Sequence, residues 1–472
     1  MPSRFLSFFR PIARFVPEVS PPDRRVSFAE KLLWTGLVTS IYLIMSEIPL
    51  YGIPRRPTED PFYYARVIFA STRGTLMELG IGPIVTAGLI LQLLAGSGII
   101  TVDFADPDDR TLFTVANKVL SVIMTIFTAS VYVLGGAYGE MGLGESLILF
   151  SQLIAAGLIL MLLDELVQKG WGIGSGISMF ILAGIARGVF WSCFAPVPVG
   201  DGKFLGAILA FVQSMLNHEG LTESLHRQGN LPDMVGFIST IAVYMIIIYL
   251  EGIRIELPIS YARYRGFRSR YPVKLLYVSN IPVILSSALF ANIYLFSQIL
   301  WFNFNQGNEN FWLNLLGTYN STTREPTGGL AYYVIPPRSI GAIMADPGGP
   351  VRAAVYAALM VTLCVLFAKV WIEVGGLGSR ITAKQLIDSG MHIPGFRRSY
   401  KSVQRLLDRY IPTLASLGGL TVGGIAAFAD LLNVFGSGMG ALLAVGILYQ
   451  LYQQMAQEQV MEMYPVLRRL IG

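Results

Sequence analysis

The sequence is short of charged residues, cysteines and histidines, and each shortage excludes a class of protein. Only 14% of its 472 residues are charged, against roughly 25% in a soluble protein. Its two cysteines lie far apart, which excludes a disulfide framework and a zinc site built on CxxC pairs. All three histidines fall in polar stretches, so the apolar segments contain no histidine that could act as a general base. We therefore expect no metal, no other cofactor and no enzymatic activity.

Long apolar segments make up much of the chain. Hydrophobic residues account for 53% of the chain, and its mean hydropathy is +0.56. A helix needs about 20 consecutive apolar residues to cross a bilayer. Ten segments satisfy this requirement, so the sequence predicts an all-α polytopic membrane protein. They are Leu32–Tyr51, Leu76–Leu94, Val115–Gly136, Leu147–Leu166, Ile173–Phe194, Val235–Ile253, Leu275–Phe302, Ala353–Val374, Ile411–Leu432 and Gly438–Met455.

Lysine and arginine are distributed unevenly between the connections. They are concentrated before the first span and in the connections 254–274 and 375–410, which the ten spans place on one side of the membrane. The positive-inside rule makes that side cytoplasmic, together with both termini. The first span is long enough to cross the bilayer, so we interpret it as a permanent helix rather than a cleaved leader. This predicts a multi-pass protein of the plasma membrane, or of the endoplasmic reticulum membrane in a eukaryote.

Ten spans also divide into two sets of five. An odd number of spans in each set places the two sets in opposite orientations, as in an inverted repeat. The predicted organisation is a cytoplasmic N-terminal segment 1–31, an N-terminal half 32–194, an external connection 195–234, a C-terminal half 235–455 and a cytoplasmic tail 456–472.

Several short stretches along the chain carry a family resemblance. They are Gly74-Thr75-Leu76, Gly80 to Gly88, Gln92-Leu93-Leu94, Gly172 to Ser178, Tyr277 to Leu285, Arg409 to Pro412, and Gly436-Ser437-Gly438 before Leu442-Leu443. In this order, over nearly the whole chain, they resemble the SecY family, the alpha subunit of the translocon. The resemblance is to its archaeal type, close to the eukaryotic branch.

The resemblance implies a clamshell of two five-helix halves around a central pore. The protein would then be the pore-forming subunit of a translocation channel that conducts secretory polypeptides and releases signal sequences and transmembrane segments sideways into lipid. Implied partners are a small SecE-type (gamma) subunit that braces the two halves, a small beta-type subunit, the ribosome with its nascent chain, and membrane lipid. The signal recognition particle and its receptor would act indirectly.

The resemblance also implies a ring of apolar side chains at the pore centre. Such a ring closes a pore by dewetting, although an isolated Ile or Val in a membrane helix more often faces lipid or a neighbouring helix. Two pairs are spaced four residues apart, which predicts that each pair shares a helix face. The implied ring is Ile81 and Val85, Ile173 and Ile177, Ile284 and Leu443.

The segment 61–73 is amphipathic and too short to span. Taken alone it predicts an interfacial helix on the membrane surface, whereas the resemblance implies a plug that folds back beneath the ring. Its implied plug residues are Ile68, Phe69, Ser71 and Arg73. We expect deletion of 68–73 to leave a channel that leaks ions, and unchanged conductance in planar bilayers would contradict this.

Polar residues in the second, third and seventh spans mark the implied lateral gate. This gate lies between the second and third spans on one side and the seventh and eighth on the other. Hydrogen bonds between membrane helices are weak enough for such a seam to open. The alternative is that these groups bond only to their own helix backbone. The residues are Thr86, Gln92, Thr128 and Asn292.

The two basic cytoplasmic connections are implied to dock the ribosome. Charge alone does not distinguish this role from ordinary positive-inside bias. The arginines predicted to contact the ribosome are Arg263, Arg265, Arg268, Arg397 and Arg398.

Two other classes of protein share single features with this sequence. A secondary transporter also uses inverted repeats, but coupled transporters place ionisable residues at midplane, and here the span centres have almost none; a carrier of a neutral small molecule remains the alternative. An intramembrane serine enzyme would need a histidine near Gly174-Ser175-Gly176, and no span supplies one. The chain also lacks a GxxxxGK[ST] loop for ATP.

Overall fold

The structure of the protein is a computed structural model, and it describes most of the chain. The described residues are 11, 17–52, 66, 69–97, 99–100, 102, 106–134, 142–199, 202–218, 220, 225, 227, 231–261, 268–275, 281–320, 326–337, 343, 347–375, 378–388, 391–392 and 400–463. For residues 107, 255, 257–261, 268–273, 391–392, 402 and 461 only the backbone is described. Five residues singled out from the sequence lie outside the described residues: Ile68, Arg263, Arg265, Arg397 and Arg398.

The N-terminal half folds into five apolar helices, as predicted. The first begins at a capping box in which Ser27 and Glu30 bond to each other's backbone N–H groups. The fourth continues into a π-helical turn over Val167–Trp171. The helices are α1 (Phe28–Met45), α2 (Gly82–Gly96), α3 (Pro107–Leu134), α4 (Leu143–Leu166) and α5 (Gly176–Phe194).

Helix α2 begins later than the predicted second span. The span was predicted to be helical from Leu76, but the chain forms turns up to Ile81 and becomes helical only at Gly82. Gly80 has a φ of +53°, which interrupts a right-handed helix, and Pro83 stands in the first turn, where its missing N–H is tolerated. Helix α2 has 15 residues. At about 1.5 Å of rise per residue, its length is less than the ~30 Å thickness of the hydrocarbon core.

The C-terminal half contains the other five long helices. Asp233 caps the first of them by accepting a hydrogen bond from the backbone N–H of Gly236 at 2.7 Å. In the described part of the chain, eight helices of the two halves are long and apolar enough to cross a membrane by themselves. The long helices of this half are α7 (Met234–Gly252), α8 (Ile281–Phe304), α11 (Gly349–Val374), α13 (Tyr400–Leu431) and α14 (Gly438–Met463).

Short elements fill the connections. Helix α6 (Ala207–Leu216) lies between the halves and packs against α5 and α7. The others are α9 (Phe311–Leu316), α10 (Leu330–Val334) and α12 (Ser379–Asp388), with a two-stranded ribbon of β3 (Thr318–Tyr319) and β4 (Pro326–Gly328).

The two basic connections meet in a small sheet, which the sequence analysis did not predict. Strands β1 (Arg254–Tyr261) and β2 (Arg268–Lys274) form an antiparallel hairpin that pairs Arg254 with Lys274. Strand β5 (Met391–His392), from the other connection, pairs with the far end of β1. The two segments therefore form one structural unit, β2-β1-β5, at one end of the helices.

Candidate functional site

Five of the six predicted ring residues lie in one apolar cluster between the two halves. Ile81, Val85 and Leu443 are buried members of this cluster, and Ile177 and Ile284 are partly buried against it. The N-terminal half supplies its residues from the start of α2 and the first turn of α5. The C-terminal half supplies its own from the start of α8 and the first turns of α14. The beginnings of four helices therefore converge on one apolar centre.

The two pairs spaced by four residues behave differently. Ile81 and Val85 are one helical turn apart, since the N–H of Val85 donates to the carbonyl of Ile81 at 3.0 Å. Ile173 and Ile177 do not share a helix face, and that prediction was wrong. Helix α5 begins only at Gly176, and Gly174 before it has a φ of +80°. Ile173 is buried at the turn that precedes α5.

The described end of the predicted plug packs directly against the start of α2. The carbonyl of Phe69 accepts a hydrogen bond from the N–H of Ile81 at 2.7 Å. A Cβ atom at Gly80 would lie 2.1 Å from that carbonyl oxygen, and one at Gly82 would lie 3.2 Å from the Phe69 ring. The Phe69 side chain also packs against this central cluster and against a second apolar cluster within the C-terminal half. Gly80 is therefore required for this close approach, and Gly82 leaves little room for any larger residue.

Polar contacts fix the same segment to the N-terminal half. The hydroxyl of Tyr42 on α1 donates to the carbonyl of Ala70 at 2.9 Å. From α5, the guanidinium of Arg187 donates to the hydroxyls of Ser46 and Thr72 at 3.0 and 3.1 Å. Of the other predicted plug residues, Ser71 is half-buried and Arg73 is exposed. The segment is thus attached to two helices besides the one that it precedes.

A buried ion pair that the sequence analysis missed reinforces this attachment. Nη2 of Arg66 lies 2.7 Å from Oε1 of Glu78, and the Glu78 side chain is 1% exposed. Glu78 also accepts a hydrogen bond from the backbone N–H of Gly74. A carboxylate inside the predicted second span was the signal available in the sequence, because a charge there requires a partner.

Two of the four predicted gate residues are in contact. Asn292 on α8 donates from Nδ2 to the hydroxyl oxygen of Thr86 on α2 at 3.1 Å. Thr86 therefore bonds across the helix boundary, rather than only to its own backbone. Gln92 lies further along the same helix α2, and its Nε2 is 3.9 Å from where a Cβ atom at Gly88 would stand. Thr128 is half-buried on α3.

Aromatic and small residues complete the same boundary. The rings of Phe127 on α3 and Phe296 on α8 have centroids 6.2 Å apart. A Cβ atom at Gly96 on α2 would lie 2.5 Å from Cγ1 of Val370 on α11. Helices α2 and α3 thus face α8 and α11, which are the four helices that the sequence assigned to a lateral gate.

Only one of the predicted ribosome-contacting arginines falls in the described part of the chain. Arg268 begins strand β2, where it is paired with Ser260 of β1. The remaining four belong to the two connections that the sheet joins.

Fold and site together define a class of protein. The chain is a polytopic α-helical membrane protein of two inverted five-helix halves, which meet at an apolar centre onto which a short segment folds back. This is the architecture of a gated channel.

Comparison with known proteins identifies the family. The sequence model of the SecY family matches residues 75–452, and that of the plug domain of Sec61p matches residues 41–74. The chain therefore belongs to the SecY family. It is a protein-conducting channel with a plug domain, and not an enzyme. The matched plug domain begins at residue 41, whereas the sequence analysis predicted a plug from residue 61.

Solved structures agree over almost the full length. One described as the structure of a protein conducting channel is 37% identical, with a TM-score of 0.83, and the match covers 97% of this chain and 98% of that one. Sec61 in the canine ribosome-channel complex from the endoplasmic reticulum is 36% identical, with a TM-score of 0.80 and the same coverage. The yeast Ssh1 complex bound to the yeast 80S ribosome is 26% identical, with a TM-score of 0.78, and the match covers 94% and 93% of the two chains.

Proposed function

We propose that the apolar centre is the constriction through which a secretory polypeptide passes. The observation that carries this is the convergence of Ile81, Val85, Ile177, Ile284 and Leu443 from four helix beginnings into one cluster. Ile173, buried at the turn before α5, is assigned to the margin of the ring.

The chemistry of these side chains suits both a seal and a passage. An ion would lose its hydration among branched apolar groups, and a hydrophobic constriction excludes it by dewetting. On translocon-insertion scales a charged side chain at a helix centre costs about 2.5–3.5 kcal/mol. Isoleucine, valine and leucine also offer no hydrogen bond that would hold a passing chain. The ring therefore discriminates by water exclusion and not by sequence.

Cross-linking of a stalled chain tests this assignment. Ile81→Cys and Ile284→Cys are introduced singly into a channel in which Cys193 and Cys364 are replaced by Ala, and a secretory chain is stalled within it. We expect adducts from both positions. Ile238→Cys on α7, where the native side chain is 57% exposed on the outer surface, is the control and should give none. Adducts at Ile238→Cys without adducts at the two ring positions would place the path elsewhere.

The segment around Phe69 is proposed to seal the resting channel. Its support is the packing of Phe69 against the two apolar clusters and the ion pair that holds the residues before and after it. The plug residues that this proposal assigns are Ile68, Phe69, Ser71 and Arg73. The direct test is to delete residues 68–73 and to measure ion conductance in planar bilayers, which we expect to rise.

The joined basic connections are proposed as the ribosome-docking surface, with both termini on the same cytoplasmic side. Two relatives are solved in complex with ribosomes, and here β1, β2 and β5 join both connections in one sheet. The other proposed partners are the gamma and beta subunits, the nascent chain and lipid. The signal recognition particle and its receptor are proposed to act indirectly. The plasma membrane, or the endoplasmic reticulum in a eukaryote, is the proposed location.

Substitution of five arginines tests the docking surface. The combined replacement of Arg263, Arg265, Arg268, Arg397 and Arg398 by Ser should weaken co-sedimentation with ribosomes and leave the channel folded. Arg24→Ser removes an exposed charge from the N-terminal segment and serves as the control. Unaltered co-sedimentation of the five-fold variant at low salt would reject the docking surface.

A further inference from the structure

We propose that two buried aspartates, Asp164 and Asp430, are positioning residues that hold the ring-bearing helices α5 and α14 in the closed arrangement. The inference rests on the proposed ring, since it concerns what fixes Ile177 and Leu443 in place. Neither carboxylate was singled out from the sequence. The signal was present, because each aspartate stands shortly before a Gly-Ser-Gly triplet that leads into the last helix of its half.

In the N-terminal half, Asp164 of α4 caps the beginning of α5. It is 7% exposed, and its Oδ1 accepts hydrogen bonds from the N–H of Ile177 at 2.9 Å and from the hydroxyl of Ser175 at 3.3 Å. Oδ2 accepts from Nε2 of Gln168 at 2.7 Å. A Cβ atom at Gly176 would lie 2.6 Å from the Cα of Asp164. The cap therefore bonds directly to the backbone of a proposed ring residue.

In the C-terminal half, Asp430 of α13 caps the beginning of α14 in the same way. It is 2% exposed, and its Oδ1 accepts from the N–H of Gly438 at 2.6 Å. Oδ2 accepts from the hydroxyl of Tyr356 on α11 at 2.7 Å. A Cβ atom at Gly438 would lie 2.5 Å from the carbonyl oxygen of Ala426. The ring residue of α14, Leu443, follows within the next turns of the helix.

A threonine on the first helix of each half holds the turn before the cap. The hydroxyl oxygen of Thr35 accepts from the N–H of Ile173 at 2.9 Å, and that of Thr240 accepts from the N–H of Phe435 at 2.9 Å. The next residue in each turn is a glycine with positive φ, +80° at Gly174 and +77° at Gly436. Each threonine also donates to the carbonyl four residues before it, that of Lys31 or Gly236.

The same four-part anchor is thus built twice. Each half has a threonine on its first helix, an aspartate on its fourth, a glycine turn, and a fifth helix that begins at the bound N–H groups. Because the halves are inverted, α5 and α14 run from their anchors in opposite directions relative to the membrane, while both beginnings adjoin the shared centre. Recurrence at equivalent positions of both halves links the aspartates to the ring-bearing helices, and not to local packing alone.

The physical consequence follows from the charge at a helix beginning. The first N–H groups of a helix carry partial positive charge and need acceptors, which a carboxylate supplies well. Without that acceptor, the buried N–H groups of α5 or α14 would be unpaired, and the first turn would move or fray to regain partners. Such movement displaces Ile177 or Leu443 from the shared centre. We therefore expect the seal to depend on both caps.

Resting ion conductance of the reconstituted channel tests the inference. Asp430→Ala and Asp164→Ala should each raise it, by about fivefold for a lost cap of ordinary strength. Asp430→Asn and Asp164→Asn keep an oxygen at the Oδ1 position and should stay near wild type. Tyr356→Phe removes the bond to Oδ2 and leaves the bond from Gly438 to Oδ1 in place, so it is the matched control and should conduct as the wild type does. Thr240→Val, which deletes one hydroxyl, replaces Asp430→Ala if that variant does not assemble, and it should also raise conductance.

A coupling measurement separates positioning from a structural role. In a Leu443→Ala background, Asp430→Ala should add less than it does in the wild-type channel, because the side chain that it positions is already truncated. A lowered unfolding temperature with wild-type conductance would overturn the inference, as would full additivity. If Leu443→Ala alone leaves conductance unchanged, the proposed ring fails instead, so the two failures are distinguishable.

Discussion

The two halves of the channel meet along two boundaries that are built differently. At the first, which we term the hinge seam, α1 and α5 contact α14, and α6 joins the halves. Nζ of Lys31 on α1 lies 2.6 Å from Oε1 of Glu458 on α14. Nearby, Cys193, Ala207 and Phe435 from both halves form one buried apolar cluster. The chain itself also crosses between the halves here, through the connection 195–234.

At the second boundary, the gate seam, α2 and α3 face α8 and α11. The contacts described above are one neutral hydrogen bond, Asn292 to Thr86, one aromatic pair, and the close approach of Gly96 to Val370. Hydrogen bonds between membrane helices average about 0.6 kcal/mol. A signal sequence with ~10 Leu-like residues gains roughly 3–6 kcal/mol on entering lipid. From this comparison we expect the gate seam to part while the hinge seam holds.

Cross-linking across each seam should give the largest difference in translocation between the two seams. Thr86→Cys with Asn292→Cys, joined by a short bis-maleimide in the Cys193→Ala, Cys364→Ala background, should abolish release of signal sequences into lipid and block translocation. The reason is that the two helices must separate for a chain to leave sideways. The readout is transport of a radiolabelled secretory chain into proteoliposomes, before and after cross-linking.

The hinge seam supplies the matched control for that experiment. Lys31→Cys with Glu458→Cys, treated with the same reagent, should cross-link and still translocate, because we expect this seam to stay closed throughout. If the hinge cross-link blocks transport as fully as the gate cross-link does, the two seams are equivalent and the comparison fails.

A smaller effect is expected from the gate hydrogen bond alone. Asn292→Leu removes the donor to Thr86 and should shift the balance towards the open gate by about threefold, the factor that corresponds to about 0.6 kcal/mol. It is measured as improved membrane insertion of a marginally hydrophobic signal sequence. Thr362→Val on α11 is the control, since that hydroxyl donates only to the carbonyl of Ala358 in its own helix. An equal improvement in the control variant would show that the seam is not involved.

The spans and the site differ in how far they could be predicted from sequence. Apolar runs of span length predicted the ten membrane helices apart from the late start and short length of α2, because a bilayer sets the length of most helices that cross it. The residues of the ring could not be predicted from apolar runs. Whether Ile284 meets Ile81 depends on how distant helices pack, and no local pattern encodes this. That assignment came from family resemblance, and the cluster now supports it for five residues.

The errors have local causes. A spacing of four residues predicts that Ile173 shares a helix face with Ile177, but Gly174, with its positive φ, stands between them and interrupts the helix. The sequence does not reveal the sheet because β1 and β2 are polar, charged segments in a chain of helices, and β5 is only two residues long and pairs with a partner more than 100 residues away. The Asp caps were missed because their partners are backbone N–H groups, which a sequence does not display.

Removing the ion pair of the hinge seam should have a smaller effect than cross-linking the gate seam or removing its hydrogen bond. Lys31 and Glu458 side chains are 18% and 36% exposed, so water and salt screen their attraction, and such pairs contribute about 0.2–1 kcal/mol. Lys31→Gln should therefore lower the thermal unfolding midpoint slightly at low salt, less at high salt, and leave translocation unchanged. Lys31→Gln with Glu458→Gln isolates the pairwise part. A large loss of transport in Lys31→Gln would mean that the hinge seam is held by this single contact and moves during the cycle. In that case the apolar cluster around Phe435 would no longer account for its stability.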